Sequence, residues 1–137
     1  MTLARKRLRD AAKTALRAIP GLTVDGPRAF LQNLDRLPSA GVLTTEEGRS
    51  RLDKAGTVSR RIDLAVRLRA SGDDVDDRLD ALAEQVEAAL MADATLQEIT
   101  GDDVPFEAVA ASFVLTETAG DAPVAQLTLM FVAEVLE

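Results

Sequence analysis

Carboxylates are the reactive side chains that this sequence groups most closely. "DDVDD" places Asp73, Asp74, Asp76 and Asp77 together, and a second pair follows in "TGDD". Carboxylate oxygens suit a divalent cation, but the spacing lacks the glycine and the terminal glutamate of an EF-hand loop. We therefore interpret the first cluster as support for a helix N-terminus, with Asp74 or a neighbouring aspartate as its cap. The sequence predicts no metal site and no cofactor.

Acid–base catalysis by paired carboxylates would lack its usual partner groups in this chain. There is no histidine and no cysteine, so the commonest general base and every thiolate ligand are absent. The sequence also has no glycine-rich phosphate loop and no G-x-S-x-G nucleophile motif. We therefore expect a protein that is not an enzyme.

Charge is divided unevenly along the chain. Residues 1–69 hold 15 Lys and Arg against 7 Asp and Glu, whereas residues 70–137 hold 1 against 16. The formal net charge of -7 hides this division. Halves of opposite sign indicate an interaction function.

The first half of the chain predicts one helix followed by strands. Apolar residues at spacings of three and four predict a helix over residues 3–19. Short strands are expected at Ala29–Asn33 and Ala40–Thr45, and the polar residues 46–56 are interpreted as an exposed loop. Alternation of apolar and polar residues on a period of two predicts a longer strand at Val58–Arg69.

The second half predicts a helix and a closing hairpin. An apolar stripe predicts a helix from the aspartate cluster to about Met91. Strands are expected at Glu107–Thr118 and Pro123–Glu134, joined by the turn "AGDA" at Ala119–Ala122. Together these elements predict one α+β domain over residues 1–137, with a mainly antiparallel sheet and two helices packed on one face.

The two hairpin strands are apolar on both faces, although the helices would cover one face only. Their outward side would therefore expose an apolar assembly face formed by Val114, Met130 and Val132.

The basic residues of "RRIDLAVRLRA" allow two interpretations. Arg61, Arg67 and Arg69 share one face of the predicted strand. Together with Arg5, Lys6, Arg9 and Lys13 on the predicted first helix, such a face can bind nucleic acid. However, this chain is acidic overall and has only 3% aromatic residues, so it lacks a stacking platform. The alternative is that the basic half of one subunit meets the acidic half of the next, which gives a heterologous contact that closes a ring on repetition.

In the order of its predicted elements and in the residue pattern of each segment, the chain resembles the tail terminator proteins of lambda-type long-tailed phages and of phage-derived gene transfer agents. The resemblance rests on "VDGPRAFLQNLDRLPSAGVLTTEEG", "RRIDLAVRLRA", "DDVDDRLDALAEQVEAALMADATLQEIT" and "AQLTLMFVAEVLE". It implies a structural virion protein whose homohexameric ring caps the tail tube, stops tail polymerisation and offers the head-joining surface.

The resemblance also implies the location and the partners. The protein would lie at the head-proximal end of the virion tail and assemble in the bacterial cytoplasm. Its partners would be its own copies, the tail tube protein and the head–tail connector protein. DNA would pass through the ring without sequence-specific binding, and no membrane would be involved. A head–tail connector of the same particle and a nucleic-acid-binding module are the alternatives.

Within such a ring, we expect the three arginines to meet acids on the neighbouring subunit's helix, namely Asp76, Asp80, Glu84 and Glu87. The loop at 46–56 would engage the tail tube or line the opening through Arg49, Arg51 and Lys54. The alternative for the loop is an excursion on the surface without a partner.

Overall fold

The chain folds into a five-stranded sheet with helices packed against it, which confirms the predicted α+β class. A computed structural model describes residues 4–25, 38–51, 56, 58–100, 107–119 and 122–136. In chain order the elements are α1 (Ala4–Arg17), β1 (Thr23–Asp25), β2 (Ser39–Arg51), β3 (Val58–Ser71), α2 (Val75–Met91), α3 (Ala94–Thr100), β4 (Glu107–Ala119) and β5 (Ala122–Leu136). The predicted strand at Ala29–Asn33 lies outside the described residues.

The strands lie in the order β1-β2-β3-β5-β4. β1 pairs with β2 in parallel, and the β2–β3, β3–β5 and β5–β4 pairs are antiparallel. The pairing of β4 with β5 ends at Ala119↔Ala122, the two residues between which the sequence predicts the hairpin turn. β1 is a three-residue strand that the sequence pattern did not predict.

The core lies between the helices and one face of the sheet. Alternation on β3 buries Ile62, Leu64, Val66 and Leu68, and the pairing register sets them beside the odd-numbered residues 127–133 of β5. These residues form one apolar cluster with the stripes of α1 and α2. Because successive strand residues point to opposite faces, we call this side the helix-facing side and the other the second face. Full burial of a leucine or phenylalanine side chain contributes about 1.5–3 kcal/mol.

The predicted loop at 46–56 is wrong over its first part, because β2 continues to Arg51. The polar sequence "EEGRSR" lacks a strand pattern of its own, but it pairs with β3 from Glu46↔Asp63 to Arg51↔Val58. Long-range pairing therefore supplies the strand that local sequence does not indicate.

A β-bulge in β2 changes which side chains face the helices. The register slips between Thr44 and Glu46, so Thr44 pairs with Leu64 and Glu46 pairs with Asp63. One extra residue reverses the alternation beyond it. As a result Glu47, opposite Ile62, lies on the helix-facing side, whereas Glu46 lies on the second face.

The helices differ from the prediction in two details. Asp74 is the N-cap residue of α2, but its side chain makes no capping hydrogen bond; the first turn instead contains Asp76 and Asp77, as the helix dipole favours. The short helix α3 was not predicted. Its N-terminus is capped by Asp93, whose Oδ2 accepts a hydrogen bond of 2.9 Å from the Leu96 N–H.

Candidate assembly surfaces

β4 is an edge strand of the described sheet, and its described side chains are exposed on both faces. It pairs with β5, and its side chains at 110–114 are all exposed. Phe113, opposite Leu127, lies on the helix-facing side and is 47% exposed, whereas Val114, opposite Gln126, lies on the second face and is 52% exposed. A long apolar edge strand is a template for pairing with another chain.

The predicted apolar assembly face is only partly exposed. Val114, Met130 and Val132 share the second face by register. Met130 and Val132 lie on the inner strand β5 opposite Ala65 and Asp63 of β3, and both are half-buried. Val114, on β4, is the open member of the set, and a role for the three in assembly remains a prediction.

The three predicted arginines lie together on the second face of β3, but they differ in exposure. Arg61 is exposed and Arg67 is half-buried, whereas Arg69 is 7% exposed. Arg61 therefore presents the most accessible charge of the three to a partner.

The predicted acidic partners lie on the far side of the subunit. α2 packs against β3 and β5 through Val75, Leu79, Ala83, Val86 and Leu90. Its acidic residues Asp76, Asp80, Glu84 and Glu87 are exposed. The sheet and a helix roughly 10 Å across therefore separate them from the arginines. Within the part of the chain that the structure describes, no ion pair joins Arg61 or Arg67 to these acids.

Of the predicted tube-contacting residues, two lie in a strand and the third lies outside the described residues. Arg49 and Arg51 belong to β2, where their backbones pair with Arg60 and Val58. Lys54 lies outside the described residues. The expectation that these three residues belong to one exposed loop is therefore wrong for the two arginines, and their contact with a tail tube remains a prediction.

A basic groove runs between α1 and the outer edge of β2, and two of the basic residues considered for nucleic-acid binding line it. It is lined by Arg9, Lys13, Val42, Leu43 and Thr44. The Arg9 Nη1 donates a hydrogen bond of 2.7 Å to the Thr44 Oγ1, which fixes the helix to the strand. The four-residue spacing of basic residues on α1 was visible in the sequence, but the strand edge beside it was not.

Glu47 joins α1 to the sheet at the same edge. Its carboxylate lies 3.8 Å from the Arg5 Nε and 3.6 Å from the Arg60 Nη1. The Glu47 side chain is 9% exposed. The bulge in β2 is what directs this carboxylate towards the helix.

A second cleft lies between α1 and α3. Its lining mixes both signs of charge and includes Arg7, Asp10, Asp93 and Glu98. A hydrogen bond from the Lys6 ammonium on the adjacent turn lowers the pKa of Asp10. Within the described ranges, no group of three or more Asp and Glu side chains is placed to hold a metal ion. No described helix is long and apolar enough to span a lipid bilayer.

Comparison with known proteins does not assign the chain to a family. No protein-family model matches the chain, and no curated protein matches it. The fold and its surfaces therefore define a class by themselves: an α+β domain with an exposed apolar edge strand, in which the β3 arginines and the α2 acids lie on opposite sides.

Proposed function

We propose that this protein is a non-enzymatic assembly subunit that forms a ring, caps the end of a phage-type tail tube and provides the surface that joins the head. The observation that carries the proposal is the exposure of β4. Its side chains at 110–114 are all open to solvent and include Phe113 and Val114. An exposed apolar edge of this kind supports an assembly role, since a monomeric protein usually protects such an edge.

The charge distribution offers a second way for copies to meet, separate from the edge strand. The arginines of β3 and the acids of α2 are on opposite sides of one subunit, so they can pair only across a subunit boundary. Opposite charges at such a boundary guide register and speed association more than they raise affinity. The homohexameric ring and the role at the tail end come from the sequence resemblance.

The test is the mass of the protein in solution, measured by sedimentation, alone and with tail tubes assembled from the tube protein of the same particle. We expect multiples of the 14.6 kDa subunit, either free or bound at the tube ends. A protein that stays monomeric under both conditions refutes the proposal. Binding to portal-capped heads with no binding to bare tubes would instead assign the alternative role of head–tail connector.

A DNA-retardation assay separates the remaining alternative. A ring that only lets DNA pass through it should give little retardation at moderate salt. A nucleic-acid-binding module would retard DNA, and its affinity would fall steeply as salt rises.

A further inference from the structure

Among the described residues, the sheet has two open edges. One is the outer edge of β4. The other is the outer edge of β2 beyond Gly41, because β1 covers β2 only from Ser39 to Gly41. The open part of β2 spans residues 42–51, and β4 spans Glu107–Ala119. Their lengths are well matched for pairing with each other.

The two edges also differ in charge. β4 contains Glu107 and Glu117 and no Lys or Arg. The open part of β2 contains Glu46 and Glu47 as well as Arg49 and Arg51. It begins beside Arg9 and Lys13, which line the groove between α1 and residues 42–44. Two copies of β4 facing each other would oppose like charges, whereas β2 and the groove beside it offer Lys and Arg residues to the glutamates of β4.

Strand direction adds a second match. β2 and β5 both run antiparallel to β3, and β4 runs antiparallel to β5. β4 is therefore antiparallel to β2. A neighbouring copy displaced sideways, with its helices on the same side, brings its β4 antiparallel to this β2 and continues the alternation of the sheet.

We propose that β4 of one subunit pairs antiparallel with residues 42–51 of β2 in a second copy of this chain. The contact rests on the proposed self-assembly and specifies its location. It brings the helix-facing side chains of β4, Ala111 and Phe113, to the side of α1 that carries Arg9 and Lys13. The aromatic ring then contacts the aliphatic stems and the positive charges of the groove.

This edge contact and the pairing of β3 arginines with α2 acids are alternative arrangements of neighbours. Pairing edge to edge sets the second faces side by side, so the arginines of successive subunits line one wall. The opposed-face arrangement would instead bring Arg67 of one copy to Glu84 of the next. Charge reversal at Arg67 or Glu84 is therefore expected to leave an edge-paired assembly intact.

Disulfide trapping tests the contact directly, because the chain contains no cysteine of its own. Leu43→Cys is combined in turn with Ala110→Cys, Ser112→Cys and Val114→Cys, which share the second face with Leu43. Within one subunit β3 and β5 lie between the two positions. Three strand spacings of about 4.8 Å give roughly 14 Å, beyond the roughly 7 Å limit for a disulfide.

Under mild oxidation, at least one double-cysteine variant should give a ladder of covalent multiples of 14.6 kDa on a non-reducing gel. Each single-cysteine variant can form dimers at most. Efficient dimers of the β4 single variants without any ladder from the double variants would overturn the proposal, since they indicate β4 paired with β4. The same conclusion follows if the wild-type protein assembles but no double variant is trapped.

A charge test uses matched substitutions at Phe113. Phe113→Lys should lower the assembled fraction at least 10-fold more than Phe113→Glu, because Arg9 and Lys13 repel a lysine at this position and attract a glutamate. Adding Lys13→Glu should partly restore the Phe113→Lys variant. Adding Arg7→Glu, the same charge change on the other side of α1, should restore less. Equal losses for both Phe113 variants, or equal rescue by both α1 changes, would contradict the groove as the site.

The wild-type mass separates failure of this contact from failure of the proposed function. Assembly of the wild type with no trapping and no charge dependence leaves the ring proposal standing and removes the edge contact. A wild type that is monomeric with and without tail tubes removes both. Circular dichroism of each variant verifies that the exposed substitutions leave the fold intact.

Discussion

Replacement of Glu47 by glutamine should destabilise the fold far more than the same change at Glu46. Both residues are in β2, but the bulge places Glu47 on the helix-facing side and Glu46 opposite Asp63 on the second face. The Glu47 side chain is 9% exposed and lies 3.8 Å from Arg5 and 3.6 Å from Arg60. Glutamine keeps the shape of the side chain and removes its charge, so the comparison isolates the ion pairs.

The expected cost lies between that of exposed and buried pairs. Exposed ion pairs contribute about 0.2–1 kcal/mol each, and removing one partner of a fully buried pair costs about 3–5 kcal/mol. Arg5 is 44% exposed and Arg60 is 22% exposed, so solvent screens both contacts. We expect Glu47→Gln to lower the free energy of unfolding by about 1–2 kcal/mol. For a domain of 137 residues the corresponding fall in Tm is about 3–7 °C.

Glu46→Gln is the control and should be neutral or slightly stabilising, because it removes a repulsion with Asp63. The assay is thermal and urea unfolding of the three proteins, followed by circular dichroism at low and high salt. The difference between Glu47→Gln and wild type should shrink at about 1 M salt, where the screening length falls to about 3 Å. If Glu46→Gln proved the more destabilising change, the bulge and the register beyond it would be wrong.

Three further measurements test local features of the fold. Asp93→Ala should cost about 1 kcal/mol of stability, because it removes the acceptor for the Leu96 N–H at the start of α3; Asp93→Asn should restore most of the loss in urea unfolding. Lys6→Gln should raise the pKa of Asp10 towards its ordinary value in an NMR titration, because the Lys6 hydrogen bond lowers it. The stabilisation from that lowered pKa is present above the unfolded-state pKa and is lost as the pH falls through the folded-state pKa. Gly72→Ala should cost at least about 1 kcal/mol in the same unfolding assay, since Gly72 has φ +124° and an added Cβ would lie 3.1 Å from a neighbouring guanidinium nitrogen.

Sequence pattern predicted the elements whose folding is locally encoded. The alternation of Ile62, Leu64, Val66 and Leu68 specifies β3, and each of these side chains is buried. The apolar stripe of α2 specifies that helix and its contact with the sheet. In both cases a single period determines which residues reach the core.

The missed features depend on contacts between distant parts of the chain. "EEGRSR" becomes strand because it pairs with β3 and because Glu47 reaches Arg5 on α1. No local period reveals a bulge, yet the bulge decides which of two adjacent glutamates faces the helix. The burial of Arg69 beside the exposed Arg61 is likewise invisible in a pattern that gives both residues the same face.

The candidate surfaces also combine features that the sequence indicates with features that depend on long-range contacts. The sequence identified the arginines, the acids and the apolar hairpin by type. It did not indicate that β1 covers only the start of β2 or that a basic groove borders the open remainder. Strand order had to be known before β2 and β4 could be recognised as the two open edges.

A contact between unlike edges has a consequence for how an assembly ends. Each added subunit covers one open edge and contributes another, so a chain of edge-paired subunits always retains one β2 edge and one β4 edge. Only closure into a ring pairs both, and a closed sheet has no edge left to recruit further copies. A subunit that joins by its edges would therefore stop its own lateral growth on closing, which is the behaviour required of a ring that caps a tube.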